Sequence, residues 1–312
     1  MALDLSVNLA PRHPRGLPLR NPVMTASGTC GYGLELAEAM DVQRLGAIVS
    51  KGTTLHPRSG NPQPRLAETA SGLLNSIGLE NIGVEAVVRD KAPAWAKWQV
   101  PVIVNIAGET VAEYAAIARR LEGVAGVAAL EVNVSCPNVE TGGLEFGTSP
   151  SASAQVTEAV RRATTLPIIV KLTPNVTDIL EVARAAEEAG ADALTLVNTL
   201  RGMAIDRANR RPFLGAITGG LSGPAIKPVA LYMVYRVAGA LDIPVIGCGG
   251  IASAEDALEF FMAGARAIQV GTATLINPGA PLEVLEGIEH LLEAQGLSSL
   301  SEITGAALPK RG

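Results

Sequence analysis

The sequence predicts one α/β domain over residues 1–312, a (β/α)8 TIM barrel with inserted βα loops and a small N-terminal hairpin. Three observations lead there. Eight short β-branched runs recur along the chain, each bounded by Gly, Pro or Asn. Ala-rich amphipathic stretches separate them. A glycine stands repeatedly where such a stretch gives way to the next run. Strand and helix alternating over this many units close into a barrel. The structural alternative, a doubly wound open sheet, leads one to expect an early GxGxxG turn, which is absent here.

In chain order, Asp4–Pro22 reads as the hairpin, closing the end of the barrel away from the βα loops. The strand runs are Pro22–Ser27, Gly46–Ser50, Pro101–Ile106, Ala129–Val134, Pro167–Leu172, Ala193–Asn198, Pro244–Cys248 and Ala267–Gly271. Their apolar residues are nearly continuous rather than alternating, as suits parallel strands buried on both faces. Helices are expected at Ala112–Leu121, Ala154–Ala163, Thr177–Ala189, Pro228–Leu241 and Ala254–Met262. Thr177 and Ser253, each followed by acid in the first turn, read as N-caps. Gly190-Ala-Asp-Ala and Gly264-Ala-Arg-Ala are two copies of one helix-to-strand joint. Extra chain follows strands two and six, at Thr53–Asn81 and Leu200–Gly223. Both stretches are rich in Gly, Pro, Asn and Arg, and they read as long ordered loops on the active-site face. Glu140–Pro150, after strand four, reads as a lid.

Composition narrows the function. The chain is 48% hydrophobic, 18% charged and 3% aromatic, with a net charge of -5. With few aromatics and no basic run, it offers neither a phosphate-tracking surface nor a base-stacking platform, so nucleic acid is not an expected partner. Residues 1–20 lack the apolar core of a signal peptide, and no long uncharged apolar stretch predicts a membrane span. Cys30, Cys136 and Cys248 are odd in number and far apart, and His13, His56 and His290 are isolated. No metal site and no disulfide framework is expected, and a reducing cytoplasm fits.

Polar residues gather at the strand C-termini: Ser27, Lys51, Asn105, Asn133, Lys171, Asn198 and Thr199. An asparagine there is often a turn former. Lysines that end buried runs, above all Lys171 within PIIVKL, point to function, because an unpaired buried ammonium is costly. Gly249-Gly250 and Gly271-Thr272 match the usual barrel phosphate site after strands seven and eight, and they imply flavin mononucleotide or a sugar phosphate. Cys30 and Cys248 read as small buried hydrophobes. Cys136, in Asn133-Val-Ser-Cys-Pro-Asn138 and followed by the glycine-containing lid, is placed to move a proton.

These residues bring the chain to a known family. Ser50-Lys-Gly-Thr-Thr54, Asn61-Pro-Gln-Pro-Arg65, Asn75-Ser-Ile-Gly-Leu-Glu-Asn81 and Glu131-Val-Asn-Val-Ser-Cys-Pro-Asn138 run in order along it. Val170-Lys-Leu-Thr-Pro-Asn175, Asn198-Thr-Leu-Arg-Gly-Met203, Gly219-Gly-Leu-Ser-Gly-Pro-Ala-Ile-Lys-Pro228 and Gly247-Cys-Gly-Gly-Ile251 follow. Essentially the whole chain resembles the class 1 dihydroorotate dehydrogenases, and more narrowly the catalytic subunits of the NAD-linked 1B subclass. The resemblance implies oxidation of (S)-dihydroorotate to orotate in pyrimidine biosynthesis, with Cys136 as base. It implies one FMN, held by Ser27, Lys51, Gly52, Asn105, Asn133, Lys171, Val197, Gly223, Gly249, Gly250, Gly271 and Thr272. Substrate contacts implied are Lys51, Asn75, Ser76, Ile77, Gly78, Leu79, Asn133, Asn198 and Thr199, with Asn138 as a further amide. Lys171 is assigned to the charge on the flavin pyrimidine edge, and Lys51 bridges flavin and substrate.

The resemblance also implies a partner. Members of the 1B subclass work with a subunit carrying FAD and a 2Fe-2S cluster, in a heterotetramer built on a homodimer of catalytic chains. This chain has neither a cysteine quartet nor a dinucleotide fingerprint of its own. It also lacks the serine base and membrane-associating extension of class 2. Two departures from the subclass pattern are Cys248, where a bulkier apolar residue is expected, and Cys30 near the first strand. Three other readings compete: a dihydropyrimidine dehydrogenase-like barrel, a Schiff-base aldolase using Lys171 as nucleophile, and a scaffold without activity.

Overall fold

A computed structural model describes residues 3–135, 137–138 and 144–309, with the backbone alone at 137, 138 and 144. The eight expected runs form one parallel sheet. Its strands are Val23–Thr25, Ile48–Val49, Val102–Ile106, Ala129–Asn133, Ile168–Leu172, Ala193–Leu196, Val245–Cys248 and Ala267–Val270. Each pairs with its sequence neighbour in the sheet, and the eighth pairs with the first. The seam between strands one and two closes through a bridge at Met24 and Ala47 and the Gly46 N–H bond to the Val23 carbonyl, 2.8 Å. Thr25 lends its hydroxyl to the seam, accepting from the Val49 N–H at 2.9 Å. The sheet is therefore a barrel.

Both faces of the strands are covered, which explains their unbroken apolar runs. Outward-facing residues such as Val104, Val132, Val170 and Leu196 pack against helix residues including Tyr114, Val160, Val182 and Phe260. Inward-facing Met24, Val49, Ile103, Ala129, Ile169, Ala193, Ile246 and Ala267 fill the lower interior with Leu9, Ala10, Leu17 and Leu19. Those four belong to the N-terminal hairpin, Val7–Asn8 paired with Pro18–Leu19. The hairpin thus plugs the floor of the barrel, as expected.

The helices differ from expectation mainly at their ends. Asp178, not Thr177, caps the helix Ile179–Glu188; its carboxylate accepts from the Leu180 N–H at 3.0 Å. The helix expected from Ala154 begins at Pro150, because Ser149 caps it and the Pro150 ring occupies a first-turn position where no N–H is needed. Ser253 caps Ala254–Met262 with Asp256 reciprocating, as expected. Gly190 and Gly264 stop their helices at positive φ.

The two insertions are not simple loops. Leu66–Thr69 and Gly72–Asn75 from the first join Leu200–Gly202 and Gly219–Ser222 from the second in a four-stranded antiparallel sheet. Two segments far apart in sequence thus form one cap. Strands such as Gly219-Gly-Leu-Ser222 carry too little apolar alternation to be read as strands locally. Beyond strand four, Pro137–Asn138 pairs with Leu144–Glu145, and Phe146–Thr148 forms a 3-10 turn with Phe146 buried. The second half of the expected lid is therefore regular structure. No helix among the described residues is long and apolar enough to cross a membrane.

Candidate active site

Above the apolar floor the barrel interior turns polar. Glu131 points inward from strand four and is fully buried. Its carboxylate accepts from Asn105 Nδ2 at 2.7 Å, Thr195 Oγ1 at 2.9 Å and Gln269 Nε2 at 2.5 Å. Lys171 Nζ stands 3.8 Å from Glu131 Oε1 and donates to Gln269 Oε1 at 3.1 Å. Five strands thus bring one carboxylate, one ammonium, two amides and a hydroxyl together in a space closed to water, where unpaired polar groups are costly.

Burial alone pushes Lys171 toward losing its proton. Cys248 and Glu131 beside it outweigh that, and its pKa lies above the ordinary 10.5. Burial also raises the Cys248 thiol, against the pull of Lys171. Cys248 and Glu131 together therefore hold the ammonium charged. Cys248, read from sequence as an inert hydrophobe, is thus a polar neighbour of Lys171.

The network also orients Asn105. Its amide nitrogen is committed to Glu131, and its buried Oδ1 has no partner among the described residues. That oxygen lies toward Gly52, where an added Cβ would come within 3.2 Å of it and 3.4 Å of Leu79 Cδ2. Gly52, Leu79 and Asn105 therefore converge. Lys51, half-buried, is fixed through its N–H to the Gly31 carbonyl at 2.7 Å.

Across the mouth, Asn198 Nδ2 donates to Asn133 Oδ1 at 3.0 Å, and Asn198 Oδ1 accepts from the Thr199 N–H at 2.8 Å. Thr199 packs on Gly220, whose cap-sheet neighbour is Asn75; Asn75 Nδ2 bonds the Gly220 carbonyl at 3.2 Å. Asn61 Nδ2 holds Ser76 Oγ at 2.8 Å, under the turn through Ile77, Gly78 and Leu79. The cap sheet thus carries the Asn75–Leu79 segment to the barrel, a connection that sequence spacing does not reveal.

Glycines line the remaining side. Gly250 has φ +79°, and a Cβ there would meet the Lys227 backbone nitrogen at 2.8 Å. Gly223 lies beside Thr272, whose hydroxyl donates to Ser222 Oγ at 2.8 Å. Gly271 packs on Ala26, next to half-buried Ser27, and Val197 is buried behind strand six with its N–H on the Cys248 carbonyl at 2.7 Å. An unsatisfied acceptor, a buried ammonium and a glycine-lined wall fit a planar, phosphorylated heterocycle such as FMN.

Cys136 lies outside the described residues, as does the side chain of Asn138. Sequence reasoning missed Glu131 and Gln269. Their signal was a charged or amide side chain inside an apolar strand run, Ala-Leu-Glu-Val-Asn and Ala-Ile-Gln-Val. Among the described residues no cluster of His, Cys, Asp and Glu suits a metal ion.

The sequence pattern of the family described as dihydroorotate dehydrogenase matches residues 12–292. A protein of Pelobacter propionicus named "Dihydroorotate dehydrogenase B (NAD(+)), catalytic subunit" is 56% identical over 306 residues, 98% of this chain and 99% of that one. Proteins with the same name from Desulforudis audaxviator and Geobacter metallireducens are similar too. The first is 58% identical over 292 residues, covering 94% of this chain and 95% of its own. The second is 54% identical over 303 residues, covering 97% and 98%.

Proposed function

The chain belongs to the dihydroorotate dehydrogenase family, and from that premise we propose that it is the catalytic subunit of an NAD⁺-linked dihydroorotate dehydrogenase, a single-domain oxidoreductase of pyrimidine biosynthesis in the cytoplasm. It oxidises (S)-dihydroorotate to orotate. The observation that carries this reading is the Lys171 ammonium, buried and held charged beneath a mouth lined with asparagines.

The residues that would hold FMN are Ser27, Lys51, Gly52, Asn105, Asn133, Lys171, Val197, Gly223, Gly249, Gly250, Gly271 and Thr272. FMN, when bound, supplies the acceptor for the hydride that leaves C6 of dihydroorotate, and its pyrimidine edge gains negative charge. Lys171 is the fixed cation for that charge, already desolvated and oriented before the reaction begins. Asn105 offers its free carbonyl oxygen to a ring N–H.

Substrate binding falls to Lys51, to Asn75 through Leu79, to Asn133, Asn138, Asn198 and Thr199. Amides offer both donors and acceptors, which a planar pyrimidine with alternating C=O and N–H groups requires. Cys136 takes the C5 proton, whose acidity the neighbouring carbonyl raises, as the C5=C6 double bond forms. Pro137–Asn138 pairs antiparallel with Leu144–Glu145, which supports reading this connection as a lid. The electrons leave through a second subunit bearing FAD and a 2Fe-2S cluster, on a homodimer of this chain. The name "catalytic subunit" borne by the relatives supports such a partner.

The test is anaerobic mixing of the FMN-loaded chain with dihydroorotate while the flavin spectrum is recorded. Bleaching with dihydroorotate but not with dihydrouracil is expected, and Cys136→Ala should abolish it. A chain that takes up no flavin, or one bleached equally by dihydrouracil, sinks the reading.

A further inference from the structure

We propose that Glu131 is a positioning residue that sets the hydrogen-bond polarity of the site: Gln269 relays it to Lys171, and Asn105 receives it directly. What Lys171 and Asn105 then face is the cofactor of the proposed function, on which this inference rests.

The argument is one of donors and acceptors. A carboxylate only accepts and an ammonium only donates, whereas a primary amide does both and can be turned either way. Gln269 stands between the two, giving Nε2 to Glu131 Oε2 at 2.5 Å and taking Lys171 Nζ on Oε1 at 3.1 Å. The opposite turn would set an NH₂ against an ammonium and a carbonyl against a carboxylate. The neighbours therefore allow one orientation. Asn105 follows the same rule: with Nδ2 on Glu131 Oε1 at 2.7 Å, its Oδ1 must face the mouth, and there it has no partner among the described residues. Thr195 spends its hydroxyl hydrogen on Glu131 Oε2 at 2.9 Å, so it adds a donor without loosening the set.

Stability is a weak reason to keep such a group. A buried ion pair often does no better than an apolar replacement of similar volume. Orientation is a stronger one. Removing the acceptor-only character of residue 131 frees both amides to turn. In Glu131→Gln the new amide must bring donors toward Asn105 and Lys171 or toward Gln269. Either choice sets donor against donor, and Lys171 loses an acceptor. Exchanging the two groups, Glu131→Gln with Gln269→Glu, restores an acceptor-only partner to Lys171.

The experiment measures the two-electron potential of FMN bound to the full chain, anaerobically and against reference dyes. Measured are the wild type, Glu131→Gln, and Glu131→Gln/Gln269→Glu. Loss of a negative charge by itself raises the potential. Loss of the held ammonium lowers it. The proposal expects Glu131→Gln to weaken the preference for the reduced state at least tenfold, a fall of about 30 mV. The exchange should recover most of that fall. A rise or no change in Glu131→Gln overturns the proposal, and so does an exchange that recovers nothing. Should the single variant not fold or not hold FMN, the exchange decides alone: a wild-type potential supports the proposal and a depressed one overturns it. If neither variant folds, Glu131 serves the core and the proposal falls. A wild-type chain that binds no FMN, or is not reduced by dihydroorotate, instead sinks the proposed function and is recognised before any variant is measured.

Discussion

Asn105 and Glu131 are register partners on neighbouring barrel strands, and the 2.7 Å bond between them leaves the Asn105 carbonyl as a buried acceptor aimed at the mouth. A structural bond in the interior thereby decides what chemistry the surface of the site displays.

Lys171 depends on the same interior. Lys171→Ala removes the fixed cation while Glu131 keeps its three neutral donors. Reduction of FMN by dihydroorotate should slow by about 10²–10³-fold, the usual cost of losing one preorganised charge-stabilising group. Stopped-flow absorbance at the flavin band measures it, and an unchanged rate removes Lys171 from its role.

Gly250 offers a test of the glycine wall. At φ +79°, and with Lys227 Cβ 2.7 Å from where its own Cβ would stand, it leaves no room for a side chain. Gly250→Ala should destabilise the chain by about 1–3 kcal/mol through the strained backbone alone. It should also weaken FMN binding. Denaturant titration with a flavin fluorescence titration reads both, and wild-type values in both would show that the wall is not tight.

The barrel floor gives a contrasting prediction. Leu9 is fully buried among the inward-facing strand residues. Leu9→Ala should cost about 2–5 kcal/mol in urea unfolding, as large-to-small core changes do. Because the plug sits at the end opposite the asparagines, kcat/KM of the folded fraction should change little. A large loss of kcat/KM with stability intact would contradict this division.

Cys30 predicts an alkaline limit. It is buried, with Sγ 3.4 Å from Thr25 Oγ1, and burial pushes its thiol from the ordinary 9.0 up to about 11. The folded form thus holds its proton where the unfolded form has lost it. The contribution is complete below pH 9, declines between about pH 9 and 11, and is fully lost above that range. Its size is roughly 3 kcal/mol at about 1.4 kcal/mol per pKa unit. Cys30→Ala should flatten this part of the stability-against-pH curve, and an unaltered slope would assign the decline to other groups.

The barrel strands were legible because burial on both faces writes itself as continuous apolar runs, and each of the eight lies where its run does. The hairpin was legible for a similar reason: Leu9, Leu17 and Leu19 need cover. The cap sheet was not, since Leu200-Arg-Gly202 and Gly219-Gly-Leu-Ser222 pair with each other across the second insertion and draw their pattern from that partner. Within the site, residues at strand ends could be read one at a time. Glu131 could not, because its meaning lies in Lys171, Thr195 and Gln269 on three other strands. Cap position at Asp178 was missed by one residue because Thr177 and Asp178 both suit the role locally.

The plugged floor has a consequence for traffic. A well sealed at its base has one doorway, shared by cofactor, substrate and product. On the proposed assignment, most of the cofactor's residues lie at the barrel strand ends, and Asn75–Leu79, assigned to the substrate, hang from the cap above. If the proposed assignment holds, loading has an order, with the deeper occupant first, and the upper one bars its exit. Orotate in the medium should accordingly lengthen the residence of flavin on the chain during dilution.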